Sequence, residues 1–120
     1  MLDRINKLRE LLPDEHSAVL ITSDVNRFYF SGFRSSAGAV FITRDSSTLL
    51  VDFRYYEAAQ SSVGSKIDVI CYKKLFDTLN DIILDKNIKS VIIEDDDVTV
   101  NRLSAFQKEI KAEIVTNFQL

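Results

Sequence analysis

Four consecutive apolar residues, Ala18-Val19-Leu20-Ile21, set the strongest constraint on what this chain can become. A strand with one wet face alternates apolar and polar residues, whereas an uninterrupted run marks a strand covered on both faces. Two covered faces call for two layers of helix, and the flanking sequence supplies the helical periods. Leu2, Ile5, Leu8, Leu11 and Leu12 share one side of a predicted helix over 2–12, with Asp3, Arg4, Lys7 and Glu10 elsewhere, and Pro13 ends it. Asp14-Glu15-His16 is a turn. Ser23 and Asp24 can cap a short helix through Phe30, which Gly32 breaks. Gly38 to Thr43 and Thr48 to Asp52 are β-rich runs separated by Arg44-Asp45-Ser46-Ser47, the punctuation of an antiparallel hairpin. A helix beginning at Asp52 runs until Gly64, and Ile67 to Tyr72 is the next strand. Leu75, Phe76, Leu79, Ile82 and Ile83 keep the helical period, Ser90 to Ile93 returns to a strand, Leu103, Phe106 and Ile110 mark another helix, and Glu113 to Thr116 closes as a strand. The fold class is α/β, with a mixed β-sheet of about six strands flanked by helices.

The chain has 120 residues and contains no internal repeat or linker, so a single domain over 1–120 is expected. A domain of this size buries roughly two-thirds of the surface its unfolded form exposes. Cys71 is the lone cysteine, which leaves no internal disulfide; lying between Ile70 and Tyr72, it is expected to be a buried strand thiol. The first residues lack a charged segment followed by an apolar run, and no stretch reaches the ~18 apolar residues of a membrane span. The expectation is a cytoplasmic, soluble protein without a membrane partner. Net charge is −3, which repels phosphate backbones on average, so nucleic acid is not expected as a partner. The Lys73-Lys74 pair is read as solvated.

Two acidic clusters, Asp52 and the run Glu94-Asp95-Asp96-Asp97, each follow a strand and could meet at one sheet edge. Asp52, Glu94 and Asp95 would then suit a hard divalent cation, as in a metal-dependent nuclease or phosphohydrolase. Acidic residues ahead of a helix more commonly satisfy its free amides. His16 and Cys71 stand in elements with no reason to meet, and one histidine with one cysteine cannot complete a zinc site. Gly32-Phe33-Arg34-Ser35-Ser36-Ala37-Gly38 has small residues but neither phosphate-loop spacing, and reads as a tight loop whose Phe28, Phe30 and Phe33 fill the core beneath. In Asp52-Phe53-Arg54-Tyr55 the aspartate reads as a helix cap; Arg54, Tyr55 and Tyr56 could equally belong to a subunit interface.

Three blocks in order carry a wider likeness. Asn26, Tyr29, Phe30, Ser31, Gly32 and Phe33 form the first, Ser35, Ser36, Ala37, Gly38 and the strand Ala39 to Thr43 the second, and Asp52, Arg54, Tyr55, Glu57 and Ala58 the third. Together they resemble the N-terminal domain shared by creatinase, prolidase and the Xaa-Pro aminopeptidases. Arg27-Phe28, Arg34 and Phe53 depart from that pattern, standing where an apolar residue with arginine, a threonine and a glycine are frequent.

The resemblance implies a ribonuclease-H-like domain, with Asn26, Tyr29, Gly32, Gly38, Asp52, Arg54 and Tyr55 as motif positions that shape the fold. It also implies a parent enzyme whose catalytic pita-bread domain lies outside this chain, joined to it in cis, and holds two divalent metals (manganese, cobalt or zinc). By that likeness the parent hydrolyses short proline-containing peptides as a Xaa-Pro dipeptidase or aminopeptidase, with creatine cleavage a further option. This chain is then non-catalytic, binds no metal, supports a homo-oligomer and shapes access to the active site through the loop Phe33, Arg34, Ser35 and Ser36. A stand-alone interaction module without chemistry is the other expectation, beside the nuclease.

Overall fold

The computed structural model describes residues 2–35, 37–63, 67–94 and 98–116. Among these, six strands and five helices alternate: α1 (Leu2–Glu10), β1 (Ser17–Ile21), α2 (Asp24–Ser31), β2 (Ala39–Thr43), β3 (Ser47–Val51), α3 (Tyr56–Val63), β4 (Asp68–Cys71), α4 (Leu75–Asp85), β5 (Ser90–Ile93), α5 (Val100–Glu109) and β6 (Glu113–Val115). The strands form one mixed sheet in the order β4-β3-β2-β1-β5-β6. Only β2 runs against the others: it pairs antiparallel with β1 and β3, while β1 with β5, β3 with β4 and β5 with β6 are parallel.

Every residue of β1, β2 and β3 is buried, as the continuous apolar run requires. The period of two sorts these side chains between two cores. Val19, Ile21, Val40, Ile42, Leu49 and Val51 face α1, α2 and α3 through Ile5, Leu8, Phe30, Ala59 and Val63. Ala18, Leu20, Ala39, Phe41 and Leu50 face α4 and α5 through Leu79, Ile83, Phe106 and Ile110. Truncating a central side chain such as Leu20 to alanine removes contacts on a face with no solvent to refill it, a change that costs about 2–5 kcal/mol.

Cys71 departs from the sequence reading. It is exposed, because β4 is the rim of the sheet and only its middle residues, Val69 and Ile70, are half-covered. His16 begins the other end of the sheet, its Nδ1 2.9 Å from the Asn87 carbonyl, so it and Cys71 do lie apart. Gly64 and the Asp95-Asp96-Asp97 run fall outside the described residues; the helix after that run is capped by Thr99, whose hydroxyl accepts from the Arg102 N–H at 3.1 Å.

Because five strands are parallel, their carboxyl ends share one edge with the entry to β2. Thr22, Gly38, Asp52, Tyr72 and Glu94 all lie along it. In open α/β sheets this is the edge where ligands and partners meet the fold.

Candidate functional site: the carboxyl edge of the sheet

Glu94 leaves β5 and turns under the start of α2. It is only 7% exposed. Its Oε1 accepts from the Thr22 N–H at 2.7 Å and the Ser23 N–H at 2.9 Å; its Oε2 accepts from the Ser23 hydroxyl at 2.7 Å and the Asn26 Nδ2 at 2.6 Å. Burial by itself pushes this carboxyl up, but the donors from Asn26, Ser23 and Thr22 outweigh it and hold Glu94 below the ordinary glutamate value. The crevice between the carboxyl ends of β1 and β5 is thus filled by one of the chain's own carboxylates. Asn26, the first motif residue, is one of the groups that hold it.

Arg27 is the second buried support. At 5% exposure it spans from β1 to the loop after α2. Its Nη1 donates to the Thr22 carbonyl at 2.5 Å, and its Nη2 donates to the Asp24 carboxylate at 2.6 Å and the Ser35 carbonyl at 2.7 Å. The loop is fixed further by Gly32, whose left-handed φ of 73° ends α2, and by Gly38 at φ 133°. A Cβ on Gly38 would stand 2.5 Å from the Leu50 carbonyl oxygen, so only glycine lets the loop enter β2 beside β3.

The outer layer rests on this frame. Arg34 lies over the Phe28 ring at 4.1 Å, and Phe33 packs edge-on against Tyr55 with ring centres 6.3 Å apart. The end of the first motif block therefore touches the turn of the third. In that turn the Asp52 carboxylate accepts from the Arg54 N–H at 3.0 Å and pairs with its guanidinium, Nη2 to Oδ2 at 2.7 Å. The hydrogen bond from Arg54 is the main cause holding Asp52 below the usual carboxylate range. Phe53, at the tip, is 81% exposed. Tyr29 belongs to a neighbouring face: Arg4 stacks over its ring at 4.2 Å and donates to its carbonyl at 2.9 Å.

Several sequence expectations are refined here. Asp52 closes the turn ahead of α3 instead of capping that helix, which starts four residues later at Tyr56. Of the three phenylalanines assigned to the core, only Phe30 is buried; Phe28 and Phe33 are half-covered and carry Arg34 and Tyr55. Ser36 and Asp95 lie outside the described residues. Asp52 and Glu94 do share an edge but do not converge, since β3 and β5 are three strand spacings apart, about 14 Å. Among the described residues no three His, Cys, Asp or Glu side chains are placed to hold a metal ion.

Sequence reading missed Arg27 as a supporting residue, noting it only as a departure from a motif. Its spacing held the signal: Arg27, Phe30 and Ser31 stand three and four residues apart, and all three form the buried side of α2.

The family profile described as the Creatinase/Prolidase N-terminal domain matches residues 4–119. A Mycoplasma genitalium protein provisionally named as a Xaa-Pro aminopeptidase is 34% identical over 117 residues, covering 97% of this chain and 33% of that protein. The chain thus spans about a third of the length of this relative. Among solved structures, a Xaa-Pro aminopeptidase from Streptococcus pyogenes aligns with TM-score 0.84 at 25% identity, covering 97% of this chain and 88% of the other. The N-terminal domain of a provisionally named metallopeptidase from Corynebacterium diphtheriae aligns with TM-score 0.79 at 26% identity, covering 98% of both chains. The buried Asn26–Glu94 frame, the two-glycine loop and the Asp52-to-Tyr55 turn are thus features of a domain that belongs to the creatinase/prolidase N-terminal family.

Proposed function

We infer that this domain is the N-terminal, non-catalytic part of a metal-dependent Xaa-Pro dipeptidase or aminopeptidase, and that its work is to support assembly and to shape the way into the active site. The observation that carries this reading is the contact between Phe33 and Tyr55, which joins the Arg34 loop and the Asp52–Arg54 turn into one outward arginine–aromatic surface. Arginine and aromatic side chains are enriched where proteins meet. Arg34 can grip a carboxylate, from a peptide terminus or from a partner subunit, through two parallel N–H donors.

The chemistry belongs to the remainder of the parent. Its two divalent metals, manganese, cobalt or zinc, would sit in a C-terminal catalytic domain in cis, where a metal activates water and polarises the scissile carbonyl. Nothing in the described residues of this chain takes part in those steps. A cytoplasmic place and a homo-oligomeric state go with this reading. The nuclease alternative is the weaker reading, because both Glu94 oxygens are taken by Thr22, Ser23 and Asn26 and Asp52 pairs with Arg54.

The test is to express the complete gene product beside residues 1–120 and assay both on Xaa-Pro dipeptides and longer Xaa-Pro peptides with manganese. Hydrolysis by the long form alone is expected. Hydrolysis by the short form, or none by either, would overturn the reading.

A further inference from the structure

A second feature of the carboxyl edge is not used by the surface just described. On the side of α4 and α5, a cleft of about 360 Å³ opens beside the end of β1, lined among others by Thr22, Arg27, Gly38, Tyr72, Leu75 and Arg102. Its lining is predominantly polar, and its polar groups are not used up by the protein. Arg27 is neutralised by Asp24, which leaves Arg102 as a cation without an ion pair among the described residues. The Arg102 guanidinium leans over the Phe106 ring at 5.6 Å, which holds it at the mouth. The hydroxyls of Thr22 and Tyr72 have no hydrogen-bond partner among the described residues, and neither does the buried Arg27 Nε.

The start of α4 adds to this. Ser23 caps α2 and Thr99 caps α5, but Lys74 at the start of α4 gives no side-chain hydrogen bond, so the first amides of this 11-residue helix stay open at Leu75. Open amides and the positive end of the helix favour an anion. At the same edge the Glu94 carboxylate is held by the Thr22 and Ser23 amides and by the Ser23 and Asn26 side chains, so backbone and side-chain donors there already serve an anion.

We propose that this cleft binds the oxyanion group of a small organic ligand, a carboxylate or a phosphate, between Arg102, the Tyr72 and Thr22 hydroxyls and the amides that begin α4. The cleft is roomier than a bare inorganic ion needs, so the rest of the ligand lies toward Gly38. This site is independent of the peptidase reading; it predicts binding by the 120-residue chain itself, and its failure leaves that reading intact.

The experiment is an amide-shift NMR titration of the ¹⁵N-labelled chain with inorganic phosphate in one arm and N-acetylglycine in the other, each against sodium chloride at matched ionic strength. Saturable shifts are expected at Gly38, Leu75, Phe76 and Arg102, with affinity reduced about tenfold in Arg102→Ala and about threefold in Tyr72→Phe. Saturation by phosphate alone or by N-acetylglycine alone supports the site and assigns the ligand as a phosphoester or a carboxylic acid. Shifts that match the chloride control in both arms, or that persist unchanged in Arg102→Ala, overturn it.

Discussion

The two ends of the sheet treat arginine differently. At the amino ends of the parallel strands, Arg9 donates to the Thr43 carbonyl and the Ser47 hydroxyl, and Arg44 donates to the Leu12 carbonyl, so both stitch the β2–β3 hairpin to the first helix. Ser17 adds bonds to Asp14 and Ser90. These polar groups are spent within the chain. At the carboxyl ends the polar groups divide into two levels. Glu94 and Arg27 are buried and fully engaged apart from one arginine nitrogen, whereas Arg34, Arg54 and Arg102 lie on rings at the outer face, Arg54 also pairing with Asp52. One end is built for closure; the other is a rigid floor with an available surface.

The floor is the place to break that contrast most severely. Glu94→Ala leaves two amides, a hydroxyl and the Asn26 side chain without their acceptor in a buried crevice, and is expected to cost about 3 kcal/mol or more in urea unfolding. A loss below about 1 kcal/mol would show that water replaces the carboxylate. The pH dependence has a definite sign. Since Glu94 is held below the ordinary value of 4.5 in the fold, its contribution is complete above the unfolded value and is lost as pH falls through the folded one. Acid unfolding of Glu94→Gln is therefore expected to be flatter below that value than that of the natural chain, and equal slopes would remove the linkage.

Arg27→Met comes next. It keeps most of the side-chain volume but strips donors from the Thr22 and Ser35 carbonyls, and a loss of about 2 kcal/mol is expected, with amide-exchange protection falling first in the 32–38 loop. Uniform loss of protection across the sheet would mean that the arginine supports the core and not the loop.

Much of the architecture was legible from the order of apolar runs, because short β-rich runs bounded by turn residues alternate with stretches of helical period. The caps at Ser23 and Gly32 were legible for the same reason: each satisfies a local backbone need. What escaped was set by distance along the chain. Asn26 stood out as a motif residue, but its partner Glu94 is 68 residues away, and no local pattern joins them. Cys71 was misread because nothing in its neighbours says that its strand forms the rim. Arg27 was overlooked because a charged residue on a helix is ordinarily solvated, and here three acceptors from different segments surround it.

The most direct measurement sets the two ends against each other in the complete gene product: Tm and kcat/KM on a Xaa-Pro peptide, with assembly state by sedimentation, for Arg9→Ala, Arg34→Ala and Arg54→Ala. Arg9→Ala is expected to lower stability by about 1 kcal/mol and leave kcat/KM and assembly in place. The two outer variants are expected to leave Tm nearly in place, since exposed charges contribute little, yet to lower kcat/KM or weaken assembly about tenfold. Unchanged catalysis and assembly in both outer variants would contradict the account of the carboxyl edge as the working surface of this domain.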